Sequence, residues 1–308
     1  MKLRIVLTGA TGFLGRNLLP VLCKEYEVLS VGRNNLTSEF GESALIPCIN
    51  AETNWQCFLS GADVVIHTAA RAHITGTKGI IDYDEYQEVN VEGTRNLAQQ
   101  AACAGIKRFI FISSIGVNGN TSKNPFKYSD APDPHDAYSI SKHRAEVVLQ
   151  EIERKTGMEY VIIRPPLIYG NKAPGNFRSL MKLSNMNLPL PLGAIYNKRS
   201  LVSIDNVVDL IATCINHPNA KNQLFLVSDD HDVSTTELLQ EMRVAAGKKP
   251  LLLPIRLSIL RLVASLFSKQ SVVDKLGSDL QVDIIHTKET LNWKPVVSFH
   301  DGIRRCFN

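Results

Sequence analysis

A chain of 308 residues, 44% hydrophobic and 21% charged, has enough apolar material for one large or two modest domains, and no stretch is biased enough to stay disordered. Its net charge of +4 is slight, and its basic pairs (Lys107-Arg108, Lys198-Arg199) are isolated, which excludes a nucleic-acid footprint. The six cysteines form no CxxC pair, which argues against a metal site or a disulfide framework and for a reduced, cytoplasmic protein.

In chain order, the first apolar run, Leu3–Thr8, reads as a buried strand and is too short for a signal peptide. Directly after it comes Gly9-Ala10-Thr11-Gly12-Phe13-Leu14-Gly15, a GxxGxxG turn that opens a helix. Gly9 allows the tight turn, Gly12 the approach of a pyrophosphate, and Gly15 close packing of helix on sheet. The N–H groups around Thr11, Phe13 and Leu14 then face the phosphates of a dinucleotide. Pro20 is expected to bend this helix.

Further strands are expected at Glu27–Val31, Asp63–His67, Arg108–Ile112 and Tyr160–Ile163, with helices over Tyr86–Ala104 and Ala137–Lys155. Apolar strands alternating with helices imply an α/β fold, a doubly wound parallel (Rossmann) sheet. After the second strand the sequence reads Gly32-Arg33-Asn34. The acid that usually binds the ribose of NAD is absent there, and Arg33, helped by Arg16, suits the 2′-phosphate of NADP.

The strand Phe109–Ile112 ends in Ser113-Ser114, where a hydroxyl at a strand's C-terminal end faces bound ligand. Tyr138 and Lys142 are four residues apart on one expected helix and share a face. An ammonium beside the phenol, together with an oxidised nicotinamide, is expected to lower the tyrosine's pKa and make it a proton carrier.

Beyond Arg164-Pro165-Pro166 the rhythm breaks, and Leu224–Val227 is the clearest later strand. Residues 1–168 are read as the dinucleotide-binding domain, with elements from about 200–228 returning to it, and 169–308 as a smaller C-terminal substrate domain. The apolar segment Leu251–Phe267 is interrupted by Pro254, Arg256 and Arg261 and does not span a bilayer. An amphipathic helix packed on the protein and one in peripheral contact with a membrane are both open readings.

The ordered set of motifs resembles the extended short-chain dehydrogenase/reductase family, in its sugar-nucleotide 4-epimerase and 4-reductase branch. It comprises the Gly9–Gly15 loop, Asp63–Ala70, Val89–Thr94, Ser113-Ser114, Tyr138 with Lys142, Arg164–Gly170, Arg199–Val202 with Asp205, and Leu291–Pro295. The resemblance implies a catalytic triad of Ser114, Tyr138 and Lys142, with Asn90 supporting the lysine through water. It places Ala69, Ala70, Ser113 and Pro165 with the cofactor, NAD or NADP. Asn176 and Arg199 would grip a nucleotide diphosphate, and Leu190, within Leu188–Gly193, would cradle uracil, so a UDP-sugar is the implied substrate.

Where the family pattern has a tyrosine after the serines, this chain has Asn118, which is expected to contact the sugar. Arg71-Ala72-His73 resembles a subgroup associated with bacterial polysaccharide genes, and His73 is either a sugar contact or a loop histidine. A homodimer through the two long helices is implied, with no membrane span. Epimerisation at C4 is the first reading and single reduction of a UDP-4-keto-6-deoxy-N-acetylhexosamine the second. A non-catalytic dinucleotide sensor is disfavoured by the intact Tyr138–Lys142 pair. A 4,6-dehydratase is disfavoured because Ile115 and Gly116, not acids, follow Ser114.

Overall fold

The computed structural model describes residues 2–34, 40–72, 83–267 and 270–307; His73 lies outside these described residues. Strand β1 (Arg4–Thr8) leads through α1 (Phe13–Glu25) to β2 (Glu27–Gly32), which pairs parallel to β1. The chain adds β3 (Glu42–Leu45) at the sheet edge, passes the short α2 (Gln56–Leu59), and returns with β4 (Val64–His67) to the other side of β1. Helix α3 (Tyr83–Tyr86) and α4 (Gly93–Cys103) precede β5 (Arg108–Ile112), and α5 (Ala137–Thr156) precedes β6 (Glu159–Arg164).

The central strands alternate side chains between two cores, as a pleated strand must. Ile5, Leu7, Ile110 and Ile112 face one buried cluster, whereas Val6, Val65, Phe109 and Phe111 face the other. Burial of both faces explains why these strands read as continuous apolar runs. The edge strand β3 is mostly exposed and carries no such run, so the sequence pattern misses it.

Pro165-Pro166 ends β6, and the chain then forms β7 (Leu167–Tyr169), α6 (Gly175–Ser184), β8 (Arg199–Ser203) and α7 (Ile204–Asn216). Strand β9 (Gln223–Leu226) joins the large sheet beside β6, giving the order β3-β2-β1-β4-β5-β6-β9 with every pairing parallel. Strand β10 (Asp232–Val233) joins β8 and β7 in a separate three-stranded sheet. Of the segment 200–228, then, β9 lies in the large sheet while β8 lies in the small one.

The remaining helices are α8 (Thr235–Ala245), α9 (Leu257–Ser265), α10 (Gln270–Gly277), α11 (Ile285–Leu291) and α12 (Phe299–Arg305). One helix runs on past a proline, and one differs from expectation. Helix α1 continues through Pro20 to Glu25, held by buried Leu18, Leu19 and Leu22 packed in the core shared with α7. The single helix expected over Tyr86–Ala104 is broken by a π-helical stretch, Gln87–Glu92, which carries Asn90. Such wide turns are frequent at functional sites.

Candidate active site

The sheet order reverses direction between β1 and β4, and ligands of doubly wound sheets bind at that switch point. The turns after these two strands touch. Gly9 has φ +78°, and a Cβ there would lie 2.6 Å from the backbone nitrogen of Ala69. A Cβ on Gly15 would overlap the carbonyl oxygen of Gly9, so α1 can pack this closely only through glycine. At Gly12 a Cβ would meet only the Gly9 oxygen, at a tight 3.2 Å, a far smaller overlap than at Gly15.

Helix α1 starts at Gly12 without a side-chain cap and with no acid in its first turn. Its first N–H groups are therefore left for an anion. Thr11 and Gly12 are exposed, Phe13 half-buried and Leu14 buried, while Ala69 and Ala70 line the facing turn half-buried. These residues fit a dinucleotide pyrophosphate. Arg33 is exposed just after β2.

Ser114 follows β5 and stands half-buried, its Oγ accepting the Gly116 N–H at 3.1 Å. That bond uses a lone pair and leaves the hydroxyl hydrogen to donate to a ligand oxygen. The Ile115 N–H donates to the carbonyl of buried Pro165 at 3.0 Å, locking the serine turn to the end of β6. Ser113 points the other way: its hydroxyl donates to Glu146 inside the protein.

Tyr138 and Lys142 lie in the first turns of α5, which is capped by Asp136 accepting the Ser139 N–H at 2.8 Å. The Lys142 ammonium is buried, 4.3 Å from the ring centre of Phe111 and 6.0 Å from that of Tyr138. Tyr86 meets the Tyr138 ring edge-on, with centroids 6.3 Å apart. Beneath them, buried His67 is held by Thr8 at 2.6 Å and Thr94 at 3.1 Å, and stacks on Phe111. Burial, then the neighbouring Lys142 charge, push this imidazole down to about 3, so it is neutral at physiological pH.

The electrostatics of the protein alone show how much of the expected acidification its own charges supply. Burial pushes the Lys142 ammonium down to about 7, against the opposing pull of Glu146. The Tyr138 phenol is pushed up to about 12 by burial, Asp136 and Tyr86, in that order. The protein's own charges therefore do not acidify the phenol, which leaves that effect to the charge of an oxidised nicotinamide.

One site assignment changes, and another gains direct partners. Asn118 is buried, with Nδ2 donating to the Lys127 carbonyl at 3.1 Å and Oδ1 accepting from Arg164 at 2.8 Å. Its amide is committed inside the protein rather than presented to a sugar. Asn90 donates to the Arg71 carbonyl and to Ser141 Oγ and accepts the Arg71 N–H, so it ties the turn after Ala70 to α5 directly.

The substrate-side residues stand on other elements. Asn176 is exposed in the first turn of α6, and Leu190 is buried. Arg199 begins β8 and donates through Nη1 to the Lys275 carbonyl at 2.8 Å. Sequence reasoning missed Asp136, Tyr86 and the Glu146–Arg164 pair. Only Asp136, an acid immediately before a helical pattern, carried a local signal.

Residues 5–227 match the NAD dependent epimerase/dehydratase family. The chain belongs to that family. A Vibrio cholerae member named UDP-glucose 4-epimerase is 47% identical over 99% of this chain and 94% of its own. An Escherichia coli relative is named N-acetyl-alpha-D-glucosaminyl-diphospho-ditrans,octacis-undecaprenol 4-epimerase; it is 29% identical over 81% of this chain and 74% of its own. The crystal structure of UDP-glucuronic acid 4-epimerase from Bacillus cereus in complex with NAD has the same fold, with a TM-score of 0.78 at 20% identity, covering 99% of this chain and 97% of the other.

Proposed function

We propose that this family member is an NAD(P)-dependent 4-epimerase of UDP-sugars of the glucose or N-acetylglucosamine type, working in the cytoplasm in surface-polysaccharide synthesis. The carrying observation is the likeness to the Vibrio cholerae UDP-glucose 4-epimerase, 47% identical across 99% of the chain. The geometry supports it: the serine turn packs on the start of α5, which carries the phenol and the lysine, and Asn90 ties α5 to the chain after Ala70, opposite the glycine turn fitted for a pyrophosphate.

A nicotinamide dinucleotide, when bound, supplies the acceptor and then the donor of a hydride. In this reading Gly9, Thr11, Gly12, Phe13, Leu14, Ala69, Ala70 and Pro165 hold it. With the positive charge of an oxidised nicotinamide favouring its phenolate, Tyr138 would take the proton from the sugar's C4 hydroxyl and return it after the 4-keto sugar has turned over. Ser114 donates its free hydrogen to the same oxygen and steadies charge there. Lys142, buried one helical turn from the phenol, supplies a nearby amine that gains or loses its proton near neutral pH. Asn176 and Arg199 grip the diphosphate and Leu190 borders the uracil; the outward faces of α4 and α5 form a homodimer.

The test is conversion of UDP-glucose or UDP-N-acetylglucosamine into its C4 epimer, followed by chromatography, with no net change in nicotinamide absorbance. No epimer from any UDP-hexose would overturn the proposal. One feature favours a second reading. Arg33, with no acid at the end of β2, suits NADPH, the exchanging cofactor of a C4 reductase. A reductase consumes reduced dinucleotide in step with a UDP-4-keto-6-deoxy-N-acetylhexosamine.

A further inference from the structure

Helix α9 is apolar on two faces. Leu257 and Leu260 point inward and pack on the small cluster of Leu192, Ile195 and Leu239. The opposite face carries Ile259, Leu262, Val263 and Leu266, spaced i, i+3, i+4, i+7, and these are 50%, 70%, 50% and 79% exposed. Phe267 extends the stripe at 68% exposure. No residue of this helix is buried, although its apolar content resembles that of a core helix. Scattered exposed leucines are ordinary, but a continuous stripe marks a surface that meets something.

The charge around it is one-sided. Residues 242–273 contain six basic side chains (Arg243, Lys248, Lys249, Arg256, Arg261 and Lys269) and not one Asp or Glu. The other 276 residues carry 28 basic and 30 acidic side chains, so the chain's positive balance comes entirely from this segment. Lys249 and Arg256 are exposed on the approach to α9. Arg243 is buried and spends its donors on the Lys249, Met186 and Leu188 carbonyls, fixing the loop to the body of the protein. Within the helix, Arg261 is paired with Asp274 of α10.

We infer that the outer face of α9, with its basic flanks, seats this protein on an anionic lipid surface. A short helix with an apolar stripe lies in the plane of a bilayer with that face among the acyl chains, and flanking cations meet the headgroups. A second copy of this chain is a poorer occupant. A two-fold contact brings the same patch against itself, and the exposed Lys249 and Arg256 would then meet their own copies with no acids between positions 242 and 273 to answer them. The docking face also adjoins the proposed phosphate side of the site, since Arg199 donates to the Lys275 carbonyl of α10, the helix packed on α9. Only that last consequence rests on the epimerase reading; the docking itself does not.

Sedimentation of the full chain with vesicles tests this, using phosphatidylcholine alone and phosphatidylcholine mixed with phosphatidylglycerol. Binding is expected to be at least about tenfold tighter to the anionic vesicles and to weaken with added salt. Leu262→Asp with Leu266→Asp should lose that binding while keeping the melting temperature and the turnover of a soluble UDP-sugar. Lys249→Glu with Arg256→Glu should erase the preference for anionic lipid. Absence of binding to anionic vesicles, or equal binding by the Leu262/Leu266 variant, overturns the inference. So does a shift of that variant from dimer to monomer in the absence of lipid, which makes the stripe a self-interface. Vesicle binding reads no catalysis, so its failure and a failure of the epimerase reading are separate results.

Discussion

Glu146 and Arg164 meet as a buried, two-pronged ion pair, Nε donating to Oε1 at 2.9 Å and Nη2 to Oε2. Both side chains are almost fully enclosed, and the pair also holds Ser113 and Asn118. It therefore pins α5, which carries Tyr138 and Lys142, to the ends of β5 and β6. Glu146→Ala leaves an uncompensated guanidinium in the interior and should cost about 3–5 kcal/mol in urea unfolding. Replacing both partners, Glu146→Leu with Arg164→Met, should cost clearly less.

The same pair gives an acid limb. Burial works to raise the Glu146 pKa, but hydrogen bonds from Arg164 and Ser113, the nearby His143 imidazole and the Arg164 charge outweigh it and hold the carboxyl below its ordinary value. The unfolded chain then binds the proton first as pH falls. The contribution is complete above the ordinary carboxylate range of about 4.3 and is lost as pH drops through the lower folded value. Unfolding free energies of wild type and Glu146→Gln, measured from neutral pH downward, should converge in that acid range.

The loop glycines separate packing from binding. Alanine at Gly15 collides with the Gly9 carbonyl, so Gly15→Ala should lose about 1–3 kcal/mol of stability. Gly12 has φ −72°, which alanine adopts freely, and an added Cβ would press only on the Gly9 oxygen, at 3.2 Å. Gly12→Ala should therefore cost less stability than Gly15→Ala, about 1 kcal/mol or less, yet bind dinucleotide far more weakly. Calorimetric titration beside a thermal melt checks both halves.

The large sheet was legible because both of its faces are buried, which writes an apolar run into each strand. The same rule explains what stayed hidden. Strand β3 pairs through its backbone while its side chains face solvent, so nothing in Glu42–Leu45 announces it. The π-helical turn at Gln87–Glu92 preserves a helical pattern and differs only in hydrogen bonding. At the site, the one-turn spacing of Tyr138 and Lys142 was plain, but their proton affinities were not. Those depend on burial and on Asp136 and Tyr86, contributions that a linear spacing does not contain. Asn118 was misplaced for a related reason: its true partner, Arg164, is distant in sequence and visible only once β6 stands beside β5.

Lys142 should reveal itself through the pH dependence of stability. Its folded value of about 7 lies below its ordinary 10.5, so between these limits the unfolded chain binds the extra proton. Stability from this group therefore rises as pH climbs from about 7 toward 10, and below 7 the full burial penalty is present. Dinucleotide-free Lys142→Met should be more stable than wild type at pH 6, with the advantage shrinking by pH 9. Chemical denaturation at the two pH values checks the sign.

Tyr138→Phe removes one oxygen from a half-buried ring and leaves the glycine loop untouched. Loss of a positioned proton carrier should lower kcat by about 10² to 10⁴ while dinucleotide affinity stays within a factor of ~2. Full activity in this variant would remove the phenol from the chemistry. A large loss of dinucleotide binding instead would make it a binding group.

The choice of dinucleotide turns on Arg33. The residue is exposed where β2 ends, and the Gly32-Arg33-Asn34 turn offers no carboxylate to a ribose 2′-hydroxyl. A guanidinium there gains from a 2′-phosphate through a charge-assisted, two-pronged contact that a hydroxyl cannot make. NADP should thus bind at least as tightly as NAD, and its affinity should fall as salt screens the exposed charge. Arg33→Asp adds the missing acid and removes the cation in one step, so it should reverse the preference by about tenfold or more in fluorescence titrations. If wild type already prefers NAD and Arg33→Asp changes neither affinity, this arginine is a solvated loop cation, and the second, reductive reading loses the feature that favours it.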